Sequence, residues 1–216
     1  MAQVDVEKII KDVVTQVIDQ LNISTESNLI PIGVSNKHIH LSQKDLDILF
    51  GKGYELTKLK DLGQPGQFAA NETVEVIGPK GSFKKVRILG PVRKSTQLEI
   101  SSGDGFVLGV KAPIRESGKL EGTPGVVLKG PKGSVELKEG VIVALRHIHL
   151  STEYAQKYGY KDCEMVSAMS DGIRKTTFHN VLLRVSDEYE LEMHIDMDEA
   201  NASGLKNGDK IEIIKE

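Results

Sequence analysis

The pentapeptide His38-Ile39-His40-Leu41-Ser42 recurs as His147-Ile148-His149-Leu150-Ser151, 109 residues further on in a chain of 216. That offset is half the chain and too long for a stacked-repeat period, so it reads as the duplication of a whole folding unit. Each copy is followed by a polar, helix-compatible stretch, Gln43 to Phe50 and Thr152 to Tyr158, with Ser42 or Ser151 placed to cap it. A Gly-Tyr pair, Gly53-Tyr54 or Gly159-Tyr160, then ends each stretch.

Around these two elements run short segments of alternating hydrophobicity: Thr73 to Ile77, Lys84 to Leu89, Gln97 to Ser101, Val126 to Lys129 and Ser134 to Leu137. Val141 to Leu145, Val181 to Val185, Glu190 to Asp196 and Lys210 to Ile214 follow the same pattern. Alternation of period two predicts strands. Gly78-Pro79-Lys80-Gly81 and Gly130-Pro131-Lys132-Gly133 sit between strand pairs as hairpin turns. The expected fold is mainly β with short helices, as two related small β-barrel domains over residues 31–120 and 121–216. Ahead of them, Val6, Ile10, Val13, Val17 and Leu21 recur near the helical period. They predict an amphipathic helix over residues 1–22, joined by a polar linker over 23–30.

Charge and composition remove several classes of function. Lys and Arg total 28 against 31 Asp and Glu, which leaves no basic excess for broad binding to a nucleic-acid backbone. No apolar run approaches the ~18 residues of a membrane span. The single Cys163 forms no internal disulfide, and the N-terminus lacks the pattern of a secretory signal. A cytoplasmic location is expected.

Six histidines placed at random would give about 0.14 pairs at separation two, by simple counting. Two are present. On a strand, residues i and i+2 face the same side, so His38 with His40, and His147 with His149, each present two imidazoles in one direction. Such pairs suit zinc or another borderline divalent ion, and three histidines with an open fourth position make a catalytic site rather than a closed structural one. His194, in the segment Glu190 to Asp196, is the available third imidazole. His179 lies outside the repeat and reads as a structural or surface residue.

The order Val34-Ser35-Asn36-Lys37-His38-Ile39-His40-Leu41-Ser42, Gly66-Gln67-Phe68-Ala69, Arg93-Lys94-Ser95-Thr96-Gln97-Leu98-Glu99-Ile100-Ser101, Arg146-His147-Ile148-His149 and His194-Ile195-Asp196, with Asp198-Glu199-Ala200-Asn201, carries a resemblance over about residues 30–216. It resembles the phosphate propanoyltransferase family, the PduL-type phosphotransacylases of bacterial microcompartments. The resemblance implies a phosphate acyltransferase with two zinc ions per chain, which interconverts a short acyl-CoA plus phosphate with acyl phosphate plus coenzyme A. It implies His38, His40 and Glu99 as ligands of one metal, His147, His149 and His194 as ligands of the other, and Arg93 as the phosphate-binding residue. For coenzyme A it suggests main-chain or amide contacts at Gly33, Val34, Ser35 and Asn201. Lys80 at the hairpin turn and Arg87 on the following strand are candidates for its phosphates. A homodimer, and docking of the N-terminal helix on the shell or core proteins of a microcompartment, are further expectations of the resemblance. A zinc hydrolase using the same ligands, and a non-catalytic β-barrel module of the shell, are the competing readings.

Overall fold

A computed structural model of the chain describes residues 28–214. The helix expected over 1–22, and the linker up to residue 27, lie outside the described residues. The rest is mainly β, with four short helices among the described residues. In chain order the elements are β1 (Leu29–Ser35), β2 (His38–His40), α1 (Gln43–Phe50), β3 (Lys58–Asp61), β4 (Phe68–Ile77), β5 (Ser82–Gly90) and β6 (Gln97–Glu99). They continue with α2 (Ser102–Leu108), β7 (Ile114–Arg115), β8 (Val127–Lys129), β9 (Ser134–Glu136), β10 (Val141–Ala144) and β11 (His147–Leu150). The last are α3 (Thr152–Tyr158), β12 (Met165–Ser170), β13 (Thr177–Val185), β14 (Glu192–Asp196), α4 (Met197–Ser203) and β15 (Lys210–Ile214).

Six strands close into a barrel in the order β1-β14-β11-β13-β12-β15, with β15 pairing back onto β1. Its core holds Ile30, Ile32, Ile148, Leu150, Val181, Leu183, Met193, Ile195, Ile211 and Ile213. The other nine strands form a single sheet, β7-β10-β6-β2-β5-β4-β8-β9 with β3 on the side of β4. It is packed on Ile39, Leu41, Leu46, Leu49, Val76, Val86, Ile88, Leu98, Leu128 and Val141.

One expectation is corrected here. The first unit is an open sheet rather than a second closed barrel. Its path ends on β7, two residues long, and on β9, three residues long, and α1 packs beside β9. Sheet membership also crosses the expected boundary at 120/121 twice. β1 lies parallel to β14 in the barrel, while β8, β9 and β10 extend the open sheet. The duplication marks equivalent elements rather than the border between sheets, because parallel pairing joins strands far apart in the chain and leaves no local trace.

The hairpin turns form where expected, and both do a second task. Lys80 N–H donates to Leu108 O at the end of α2, and Lys132 N–H donates to Leu49 O at the end of α1, each at 3.0 Å. A Cβ on Gly78 would come within 2.3 Å of Leu108 O, and one on Gly130 within 2.5 Å of Leu49 O. Each turn therefore needs glycine to reach the carbonyl end of a helix and satisfy it.

The equivalence between the two units extends to strand pairing. β2 runs parallel to β5 and antiparallel to β6; β11 runs parallel to β13 and antiparallel to β14. Each histidine strand leads into a helix capped by serine, with Asp45 N–H donating to Ser42 Oγ at 3.2 Å and Tyr154 N–H to Ser151 Oγ at 3.1 Å. Only two residues separate each from a strand of the other sheet, because β1 ends at Ser35 and β10 at Ala144. Both His-x-His strands thus start where the chain passes from one sheet to the other.

Candidate active site

The strand registers set the third member of each cluster. His38 stands opposite Glu99 on β6, and His147 stands opposite His194 on β14. Opposed residues of an antiparallel pair share a face, so each histidine pair gains one further donor from its antiparallel neighbour. Ligand atoms of His38, His40 and Glu99 all lie within 4.8 Å of one another, as do those of His147, His149 and His194.

Both clusters have the electronic state that a metal requires. His38 Nδ1 lies 2.9 Å from Asn36 O and His147 Nδ1 lies 2.8 Å from Leu145 O. A carbonyl can only accept, so Nδ1 carries a proton in both rings and Nε2 is the atom left to ligate a metal. The Glu99 carboxylate stands 3.6 Å from His38 Nε2 and 3.8 Å from His40 Nε2. These gaps exceed a hydrogen bond and approach the spacing of roughly 3.3 Å between ligands at zinc bond lengths of about 2.0–2.1 Å. Burial, with the neighbouring His194 ring, pushes His147 down to about 4. Burial, then His38 and Arg93, takes His40 to about 3. Burial would also lower His38, but the Glu99 carboxylate outweighs it and raises the ring. Glu99, which burial alone would raise, is held well below the usual carboxylate range by His38 and His40.

The decisive orphan is His149. It is buried against the Tyr189 ring, 4.3 Å between centroids, and neither Nδ1 nor Nε2 has a hydrogen-bond partner. His40 Nδ1 is a second such atom. A buried polar atom without a partner costs about 1–3 kcal/mol, and a bound cation would satisfy the lone-pair nitrogen of His149. The donor set of neutral imidazoles and one carboxylate fits zinc.

Around the first cluster a polar network fixes both a ligand and an arginine. Ser117 Oγ accepts from Arg93 Nη1 at 3.0 Å and from Gln97 Nε2 at 2.8 Å, and donates to Glu99 Oε1 at 3.3 Å. Gln97 Nε2 also donates to Glu99 Oε1 at 2.5 Å, and Gly118 N–H holds Gln97 Oε1 at 2.7 Å. The serine hydroxyl has spent its one proton and both lone pairs. Ser117→Ala leaves Arg93 and Gln97 each short of a partner. It is expected to destabilise the fold by about 1–3 kcal/mol. Ser117→Thr, which keeps the hydroxyl, is expected to restore most of that; denaturant unfolding checks both.

The profile of the phosphate propanoyltransferase family matches residues 31–206. The chain is 54% identical over 185 residues to a phosphate propanoyltransferase of Thermotoga maritima, covering 85% of this chain and 88% of that protein. It is 49% identical over 210 residues to one from Rhodobacter capsulatus, covering 97% of each chain. It is 48% identical to one from Rhodopseudomonas palustris over 100% of this chain and 99% of that one. The chain belongs to the phosphate propanoyltransferase family. With that family it is an acyltransferase.

Within this phosphate propanoyltransferase fold, the residues anticipated for coenzyme A are scattered. Gly33, Val34 and Ser35 line β1 beside β14, with Gly33 opposite His194. A Cβ on Gly33 would lie 2.8 Å from the Glu192 carboxyl group, which itself stands 2.7 Å from His194 Nε2. A side chain at position 33 would have to displace that carboxylate. Ser35 Oγ is 3.3 Å from His38 Nδ1, and Val34 N–H donates to Asn207 Oδ1 at 2.6 Å. Arg87 pairs with His38 across β2 and β5, but its guanidinium donates to Ala70 O and Asn71 O at 2.9 and 2.8 Å. Lys80 is exposed on the turn at the start of β5, and the turn's role at the end of α2 accounts for its sequence. Asn201 is exposed on α4. His179 is exposed on β13, away from both clusters, and Ser167 Oγ lies 2.8 Å from its Nδ1.

Sequence reasoning passed over Gln97, Ser117, Gln64 and Arg184 as site residues. Gln64 Nε2 reaches Glu190 O at 3.0 Å and the Glu192 carboxylate at 3.4 Å, tying the open sheet to the barrel beside His194. A usable signal existed for Glu99. It stands two residues before the helix cap Ser101, as His194 stands two residues before the cap Asp196.

Proposed function

We propose that this chain transfers a propanoyl group reversibly between coenzyme A and inorganic phosphate, with one zinc at His38, His40 and Glu99 and a second at His147, His149 and His194. The observation that carries the proposal is the paired construction: two equivalent clusters, each at a crossover between the sheets, with an orphaned His149 in one and an arginine network beside the other.

A phosphate oxygen forms a bond to the thioester carbonyl carbon, the carbon–sulfur bond breaks, and the phosphate proton ends on the departing thiol. Zinc, when bound, supplies positive charge that polarises the carbonyl and stabilises anionic oxygen or sulfur. Arg93 gathers the phosphate dianion, and its fork can bind two phosphate oxygens. Ser117 and Gln97 hold that fork and Glu99 in a fixed relation. Burial of the histidine and glutamate side chains lowers the local dielectric and strengthens each of these interactions. Coenzyme A is assigned to the cleft edge at Gly33, Val34 and Ser35, with Arg87, Asn201 and Lys80 as outlying contacts.

The test is release of free thiol from propanoyl-CoA with and without phosphate, with acyl phosphate trapped by hydroxylamine. Release that requires phosphate and matches acyl phosphate in amount supports the proposal. Equal release without phosphate would establish hydrolysis instead. The apolar stripe Val6 to Leu21 is assigned to docking on shell or core proteins of a microcompartment. A chain beginning at Ser27 keeps Asn28, whose Nδ2 donates to Tyr160 Oη at 3.0 Å. It is expected to turn over normally and to lose co-sedimentation with assembled shells.

A further inference from the structure

Arg184 has no part in the reading above, yet its surroundings are those of a ligand-binding group. It lies on β13 opposite His149 in the parallel β11–β13 pair, so it shares a face with the second cluster. It is half-buried, and the Tyr189 hydroxyl, a neutral group, accepts from its Nη2 at 3.1 Å. Among the described residues no carboxylate stands within 4.0 Å of it. Arg93 reaches the site from the open sheet in the same condition, half-buried, held by the neutral Ser117 hydroxyl and with no carboxylate inside that distance.

Each guanidinium lies within electrostatic reach of the other. Burial pushes the Arg93 guanidinium down, Glu99 opposes this and the Arg184 charge adds to it; Arg184 also lowers His147 and His149. Neither cation touches a carboxylate; Glu99 and Asp162 offset part of their charge from beyond contact, and an anion held by both arginines would offset the rest. A guanidinium has five N–H donors, and most of those on each arginine remain to be used.

We propose that Arg184 is a phosphate-binding residue, the second arm of a clamp in which each sheet supplies one guanidinium to the same phosphate group. Tyr189 is then a positioning residue, stacked on His149 and holding the Arg184 fork. The inference rests on the reading of the chain as a phosphate acyltransferase. The phosphate could belong to inorganic phosphate or to coenzyme A. Arg184 stands beside the His149 cluster, one of the two to which the reaction is assigned, and coenzyme A carries its own phosphates a full pantetheine arm away from its sulfur. The clamp is therefore assigned to the attacking inorganic phosphate.

The experiment uses the full-length, metal-loaded protein with Arg184→Gln and Arg184→Lys. Phosphate and propanoyl-CoA are varied separately, metal content is measured, and thermal midpoints are recorded with and without inorganic phosphate. Arg184→Gln is expected to raise the KM for phosphate about tenfold or more, with that for propanoyl-CoA within about twofold. It should abolish the phosphate-induced rise in midpoint. Arg184→Lys keeps a point charge without the fork and is expected to fall between the two; it decides the matter if the glutamine variant loses metal. A rise in the KM for propanoyl-CoA alone would move Arg184 to the coenzyme phosphates and overturn the proposal. Unchanged phosphate dependence with metal intact would also overturn it. The midpoint shift reads phosphate binding without turnover, so it separates failure of the clamp from failure of the acyltransferase reading.

Discussion

Replacing His149 with alanine is expected to remove one of two metal equivalents per chain and to lower kcat/KM by on the order of 10³, about 4 kcal/mol of transition-state stabilisation. The imidazole packs on the Tyr189 ring but is buried with both ring nitrogens unsatisfied, so no hydrogen bond in the protein rewards its polar atoms. Alanine removes that desolvated group, which makes the metal-free protein no less stable while the holo-protein loses a ligand. The two effects have opposite signs and separate a metal role from a packing role. Elemental analysis after dialysis, denaturation with and without chelator, and steady-state kinetics together read them. His179→Ala, at an exposed position on β13, is the control and is expected to change activity by less than about twofold.

The second large effect is expected at Arg93. Arg93→Ala removes a guanidinium fork from a half-buried position where charge-assisted hydrogen bonds are strong. Its loss is expected to cost about 3 kcal/mol, roughly 10² in kcat/KM for phosphate. The KM for propanoyl-CoA should move little, because Arg93 sits beside Glu99 and Ser117. Arg93→Lys is expected to recover only part of the loss, since an ammonium lacks the planar fork. Kinetics with each substrate varied at saturation of the other measures this, and an equal rise in both KM values would show that Arg93 supports the whole cleft.

The histidine pairs were legible because a strand's period of two makes His-x-His a statement about geometry: both side chains leave the same face. The flanking strands and the GPKG turns were legible for similarly local reasons. Glu99 was less so, since carboxylates are common on strands and its equivalent, His194, stands 95 residues away where the motif offset is 109; the one local mark they share is a helix cap two residues on. The pairing of His38 with Glu99 and of His147 with His194 shows that the two positions correspond. The placement of β1 in the barrel was hidden for another reason. Ile30 and Ile32 alternate as they would in either sheet, and the choice is made by pairing of Ile32 with Met193, Val34 with Ile195 and Ile30 with Ile211, more than 150 residues on. Arg184 reads as an ordinary arginine on a strand until the fold sets it beside His149 and toward Arg93.

The central claim is that the two clusters are two metal centres of one active site. A metal-edge anomalous difference map from crystals of the purified full-length protein tests it most directly. The account requires two peaks per chain, one among His38, His40 and Glu99 and one among His147, His149 and His194, each about 2.0–2.1 Å from histidine nitrogens. No peak at either cluster in a crystal of active protein, or a single peak elsewhere, would contradict it.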